Sequence, residues 1–296
     1  IDIYNNTNSI ENQENTNEIS ITLVPYLPLL AYHYRQTDNR EKEFFYTKYA
    51  AKYAAEQFAN VAAVDYLSRA LEIILPHKYD ERYELLCMRE EVYRLQAKRK
   101  EQKQDIVSIN HLAKKIKDKE KQVNAIYLMA KYANTTHDYS SAIIEAKKII
   151  VLDDIKDVLF WKGKAYQQWG RALRMLDKYK QAEEILIKAL NIFTEIKNES
   201  KKATVLENLG AMYQSTGDYE KALTYFEQIL QIWQHKGDKI GEGHTLYNIA
   251  VTYQTIGNFE KAIASTQKSL QIRREIGDYA GEVYSLNNLG VIAFLL

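Results

Sequence analysis

Six histidines, one cysteine and a large set of carboxylates are the residues of this sequence that could do chemistry, and their spacing decides what is open to them. His33, His77, His111, His137, His235 and His244 show no HExxH spacing and no cysteine at finger-like intervals, so the pattern builds no zinc site. Cys87 has no internal disulfide partner and lies in the helical stretch ELLCMREEVY, where it serves as a small buried hydrophobe. Gly241-Glu242-Gly243 begins like a dinucleotide fingerprint, but Leu246 stands where the third glycine belongs and no strand precedes it. The acids lie beside bases, as Glu90-Glu91 do near Arg94 and Glu183-Glu184 near Lys188, which is the pattern of solvated ion-pair faces. No catalytic residue, metal ligand or cofactor is expected, and the chain reads as a binding protein, not an enzyme.

Charge narrows the partner. Lys plus Arg (40) and Asp plus Glu (39) nearly cancel, which removes the positive field on which phosphate-tracking nucleic-acid binders depend. The basic run Lys98-Arg99-Lys100-Glu101-Gln102-Lys103 is diluted by Glu101 and falls at a turn, so it reads as a solvated surface. The longest apolar run, Ile19 to Tyr34, is broken by Pro25 and Pro28 and is shorter than the ~20 residues of a membrane span. A protein or peptide partner, no nucleic acid, no membrane and a reducing, cytoplasmic setting are expected.

The elements that would present such a binding face show in the period of the sequence. Asn208-Leu209-Gly210, Asn248-Ile249-Ala250 and Asn288-Leu289-Gly290 recur at an offset of 40 residues, and Gly217-Asp218-Tyr219 recurs as Gly257-Asn258-Phe259. Tyr179 with Ala182 and Tyr139 with Ala142 keep the register towards the N-terminus, and Asn60 to Leu71 fits one more copy, shifted by a residue. About six repeats, with a leading and a trailing partial one, are expected. Each carries two apolar stripes at helical spacing, such as Leu206, Leu209, Gly210, Tyr213 and then Ala222, Phe226, Ile229, Leu230. Gly217 suits the turn between the helices and Asp218 can cap the second, while Gly210 and Ala222 mark a close approach of the two. Tyr46, Tyr49 and Tyr53 beside Ala50 and Ala54 read as filling between helices.

These residues resemble the tetratricopeptide family, on Leu209, Gly210, Tyr213, Ala222 and Phe226 and on Ile249, Ala250, Tyr253 and Ala262 of the next copy. The resemblance covers roughly residues 21–296 and implies an all-α, superhelical solenoid of stacked antiparallel helix pairs with longer helices than the family's usual repeat. Residues 1–20, asparagine-rich and without bases, read as a polar linker or disordered tail. Residues 21–115 read as degenerate repeats: all eleven glycines lie at or beyond Gly163, and Asn60, Ala97 and His137 hold the earlier turn positions. Their sequence resembles the repeat tail of large bacterial signalling ATPases, although no nucleotide-binding module is present. Residues 116–296 read as regular repeats, the last cut within its first helix, and that exposed apolar end suggests either a longer parent or docking onto a second copy.

The resemblance further implies that the first helices line a concave groove. Asn208, Asn248 and Asn288 form a ladder there, at the place where an asparagine bonds the main chain of an extended peptide in groove-binding relatives. A carboxamide donates and accepts, as the N–H and C=O of such a peptide require, but bonds to neighbouring helices would explain the ladder equally. The same face carries Gln214, His244, Tyr247, Gln254, Tyr284 and Asn287, with Lys164, Gln167, Arg171 and Arg174 one repeat earlier and Lys131 before those. The basic group would pair with acidic residues or a free carboxylate, although a solvated basic face also accounts for it. The leading expectation is a scaffold or sensor module in a larger signalling protein; the alternatives are a stand-alone peptide-sensing regulator and a regulatory segment of a multidomain ATPase.

Overall fold

The computed structural model describes residues 21–296, so the expected N-terminal tail at 1–20 lies outside the described residues. The described residues divide into two compact units, 21–125 and 126–296. After a 3-10 segment at Ile21–Tyr26, the first unit contains α1 Leu27–Arg35, α2 Arg40–Glu56, α3 Asn60–Ile73, α4 Tyr79–Leu95, α5 Arg99–Ile116 and the start of α6 Lys119–Thr135. The second continues with α7 Tyr139–Ile150, α8 Val158–Met175, α9 Tyr179–Glu195, α10 Glu199–Thr216, α11 Tyr219–Lys236, α12 Lys239–Thr255, α13 Phe259–Glu275 and α14 Tyr279–Leu295. The fold is an all-α solenoid of antiparallel helix pairs, with even-numbered helices from α2 onwards as first helices and odd-numbered ones as second.

The period read from the sequence is the period of the helices: α4, α6, α10, α12 and α14 begin at 79, 119, 199, 239 and 279. Only α8 begins one residue early, at Val158, after α7 stops at Ile150 and the chain crosses an irregular stretch to Asp157 in the left-handed region. Turn chemistry follows the repeat. Gly217, Gly237, Gly257 and Gly277 all have positive φ, where glycine adds no Cβ clash. Asp218, Asp238, Asn258 and Asp278 then cap the next helix by accepting from the backbone N–H three residues on, at 3.3, 2.9, 3.2 and 2.9 Å. In the earlier turns the same conformation is held by Phe58, Ala97, Lys117, His137, Asp157, Asp177 and Lys197. Ala97 and His137 stand where the sequence puts them, but the first of these turns centres on Phe58 and not on Asn60, which already belongs to α3.

Packing in the second unit rests on one apolar stripe per helix. Leu186, Phe193, Leu206, Leu209, Met212 and Phe226 are buried together, each contributing about 1.5–3 kcal/mol by leaving water. Gly210 is required by that packing, because a Cβ there would lie 2.8 Å from the Phe226 ring, and Gly170 faces Leu186 in the same way at 2.5 Å. In the first unit Tyr34 of α1 stacks on Tyr46 of α2 at 5.1 Å, and Phe45 lies tilted against Tyr49 at 4.8 Å beside the same apolar cluster.

The first unit also buries charge, which corrects the reading of its acids as solvated. Glu43 on α2 is 2% exposed and accepts from Arg69 on α3 at 2.7 Å. Asp105 on α5 receives both arms of Arg89 on α4, at 2.7 and 2.8 Å, and Arg89 reaches Ser68 at 3.0 Å. Glu90 is buried and bonded by the Gln102 amide at 2.7 Å, whereas Glu91 does pair with Arg94. In the second unit Glu183 accepts from the Tyr213 hydroxyl, and Lys188 lies over the Tyr166 ring instead of beside the acids.

Candidate functional site

A helix that places a residue every 100° brings i, i+3, i+4 and i+7 to one side. On α8 that side carries Lys164, Gln167, Gln168, Arg171 and Arg174; on α10 it carries Lys201, Thr204, Asn208 and Gln214. The neighbouring first helices lie alongside. The Asn134 amide of α6 donates to the backbone and side-chain oxygens of Gln168 on α8, both at 2.9 Å, and the Gln214 amide of α10 donates to the Thr252 hydroxyl of α12 at 2.6 Å. Gln214 is thus a rung between repeats. Tyr247 of α12 lies 6.4 Å from the exposed Tyr284 ring of α14 and beneath the Arg273 guanidinium at 5.8 Å.

The three asparagines occupy three environments. Asn208 is half-buried and its amide donates to the Thr204 carbonyl of its own helix at 2.7 Å. Asn248 is half-buried and lines a recess, while Asn288 is 4% exposed with neither side-chain polar atom partnered. Of the remaining residues on this side, Arg171, His244 and Asn287 are exposed and Lys131, Gln167 and Gln254 are half-buried.

The basic group has the clearest electrostatics. The Lys164 ammonium lies over the rings of Tyr127 at 3.7 Å, Trp161 at 4.1 Å and Phe160 at 5.2 Å. Burial, then the charges of Lys201 and Lys131, push it down to about 7; the aromatic faces favour the charged form and oppose that push. Lys201 is lowered by its own burial and by Lys131. Arg174 is lowered by burial and by Arg171, against an opposing pull from Glu207 and two tyrosines, and its Nε has no hydrogen-bond partner. Sequence reasoning missed Lys201, Tyr127 and Glu207. The 40-residue register holds the signal for the last two, since 127 and 207 are equivalent to 167, 247 and 287, which were read as facing the groove.

Among α10, α11 and α12 lies a recess of about 290 Å³, lined by Thr204, Glu207, Trp233, Gly241, His244 and Asn248 among others. Gly241 exists for Trp233, because a Cβ there would lie 2.6 Å from the indole. One repeat later Gly281 makes room for the buried Arg273. Gly241 and Gly243 belong to the first turns of α12. Gly241 and Gly281 each admit a large side chain from the end of the preceding helix. Among the described residues no group of three or more His, Cys, Asp or Glu could hold a metal, and no helix is long and apolar enough to cross a membrane.

The tetratricopeptide repeat family model matches residues 163–235 and 201–275. Comparison with curated proteins finds no match. Among solved structures, a Rap protein complexed with Competence and Sporulation Factor aligns with a TM-score of 0.61 at 14% identity, over 96% of this chain and 89% of that one. NprR in complex with its cognate peptide NprX aligns with a TM-score of 0.61 at 15% identity, over 91% and 76%. A signal-transduction ATPase with a tetratricopeptide repeat sensor, PH0952 from Pyrococcus horikoshii, gives 0.57 at 15% identity over 92% of this chain but 43% of that one. At these identities the likeness is one of fold. Residues 163–275 match the tetratricopeptide repeat family model, and the helices around them form the same kind of antiparallel pairs.

Proposed function

We propose that the side of α6, α8, α10 and α12 described above captures an extended peptide or protein segment with acidic groups, and that the chain acts as a scaffold or sensor and not as a catalyst. The observation that carries this reading is that Lys164, Lys201 and Arg174, half-buried on α8 and α10, are lowered first by burial and then by neighbouring cations. A segment bringing carboxylates would supply counter-charge to Lys164, Lys201 and Arg174 through charge-assisted hydrogen bonds. Asn248 and the half-buried amides of Gln167 and Gln254 are the main-chain partners in this reading; Asn208 and Gln214 already spend a donor within the protein. Support also comes from the fold, which other proteins use with a peptide bound. The sensor form of the reading, as a segment of a longer signalling protein in the cytoplasm, is supported by the likeness to the repeat sensor of PH0952.

Selection from a random-peptide library, repeated with Lys164 and Lys201 changed together to Met, tests the reading. Peptides enriched in Asp and Glu should emerge with wild type and be lost with the double variant; enrichment that ignores charge, or none, would contradict it. A separate contact surface is offered by α14, where Phe294 is 88% exposed and a Cβ at Gly290 would meet nothing within 4 Å, although the equivalent Gly210 is filled by Phe226. This favours docking of another helix, from a second copy in the simplest case. Sedimentation should show mass rising with concentration, and a Phe294→Glu variant should stay monomeric.

A further inference from the structure

We propose that the exposed side of α5 is a docking site for an acidic segment of a partner protein, held by one bulky apolar side chain in the cavity beside Val107. The site lies in the first unit and is independent of the binding face proposed above. At spacings of three and four, α5 shows solvent a single row: Lys100, Lys103, Val107, His111 and Lys114 are all exposed and lie within about 40° of Val107 around the helix axis. Lys100 and Lys103 belong to the basic run of the sequence, which opens this helix. Among the described residues no carboxylate pairs with Lys100, Lys103 or Lys114. The acids of α5 point elsewhere: Asp105 is buried against Arg89, and Glu101 lies about 120° from Val107. In the middle of the row Val107 is 60% exposed and borders a cavity of about 560 Å³, lined also by Leu71 of α3, Leu86 of α4 and Leu112 of α5, with Arg82 and His111 beside them. The row is not a property of the repeat, since α11 places Glu220, Leu223, Glu227, Gln231 and Gln234 in the same register without a base.

Charge and shape then select the occupant. A cavity lined by leucines gains from a Leu- or Phe-sized side chain leaving water, and neither the phosphates of a nucleic acid nor the flat face of a bilayer would fill it. The bases set the rest. Lys103 and Lys114 stand about 6 and 10 Å along the axis on either side of Val107. The matching segment is a helix of about four turns, with carboxylates four and seven residues from a central apolar anchor, laid along α5. Complementary charge fixes its register and speeds its arrival, while the anchor slows its departure.

The test uses the full chain and a fluorescein-labelled helical peptide of the sequence EAAEAAALAAAEAAE, followed by anisotropy. Saturable binding is expected, weakened roughly tenfold when the central Leu of the peptide becomes Ala. Lys103→Glu together with Lys114→Glu should weaken it by about tenfold or more, and added salt should do the same. Val107→Glu, which puts a carboxylate at the mouth of the cavity, should abolish it. All three positions are exposed, so circular dichroism should show unchanged helicity and melting in each variant. Absence of saturation up to millimolar concentration, by this peptide and by its Phe-centred version, overturns the site, as does equal binding of the Leu and Ala peptides. A single-stranded oligonucleotide or phosphatidylserine vesicles that bind through Lys103 and Lys114 and that the peptide cannot displace would also overturn it, and would assign the row to nucleic acid or to a membrane surface.

Discussion

Residues 21–125 and the helices α8 and α10 of the second unit treat buried charge differently. In residues 21–125 each buried acid meets a partner from another helix: Glu43 takes Arg69, Asp105 takes both arms of Arg89, and Glu90 takes the Gln102 amide. Burial pulls Arg89 down, but the bond and charge of Asp105 more than reverse it. In residues 126–296 the apolar stripes and glycine contacts do the packing, and the cations of α8 and α10 are left lowered by burial and by one another. Charge that is satisfied internally holds helices together. Charge left unsatisfied on one side of a repeat array is available to something else, and that difference is what supports the proposed binding face in the second unit.

The largest effect expected from this contrast is at Arg89. Replacing it with Met leaves Asp105 buried without a counter-ion and should cost about 3–5 kcal/mol in urea unfolding, against 1 or less for an exposed pair such as Lys48–Glu84. A loss near the surface value would dissolve the contrast from the first unit's side.

Lys164 tests it from the other side, through pH. The folded chain releases this proton near pH 7, while the unfolded chain holds it to about 10, so the unfolded state carries more protons in between. Wild-type stability relative to Lys164→Met should therefore rise by about 3 kcal/mol from pH 6.5 to 9.5 in thermal melts. A difference that does not vary with pH would mean that the lysine is neither desolvated nor repelled.

Gly210→Ala should cost about 2 kcal/mol, because Phe226 must move from a Cβ otherwise 2.8 Å away. Gly290→Ala, with open space, should gain up to about 1 kcal/mol from helix propensity. The smallest expected effect concerns turns. Ala97 has φ of 55°, and Ala97→Gly should stabilise the first unit by roughly 1 kcal/mol, whereas Gly217→Ala, at φ of 82°, should destabilise the second by a similar amount. Opposite signs at the two turns sharpen the view that the early repeats keep the geometry without its usual residue.

The repeat, the helix pairs and the later turns were legible because period, glycine and cap residues are local signals: Gly217 and Asp218 specify their turn without knowledge of any other repeat. Phe58 and Lys117 were not legible as left-handed residues, since neither type favours that conformation and the flanking helices impose it. The burial of Glu90 was hidden for a similar reason: its partner Gln102 lies across a turn, and a nearby arginine, Arg94, offered a local explanation. At the candidate site the basic residues of α8 were read from helical spacing, but Lys201 was not, because its charge acts on Lys164 of another helix and no local pattern shows that. The asparagine row was legible as a row and not as three environments, which depend on how completely each repeat is covered by its neighbours.

The claim that the first helices of the second unit form the binding face is tested most directly by placing a photo-crosslinking residue at Tyr247 on α12 and, separately, at the exposed Glu227 on α11, then panning the same peptide library against each. Acidic peptides attached at 247 and absent at 227 are the expected result. Attachment at 227 with none at 247 would put the ligand on the second helices and contradict the account.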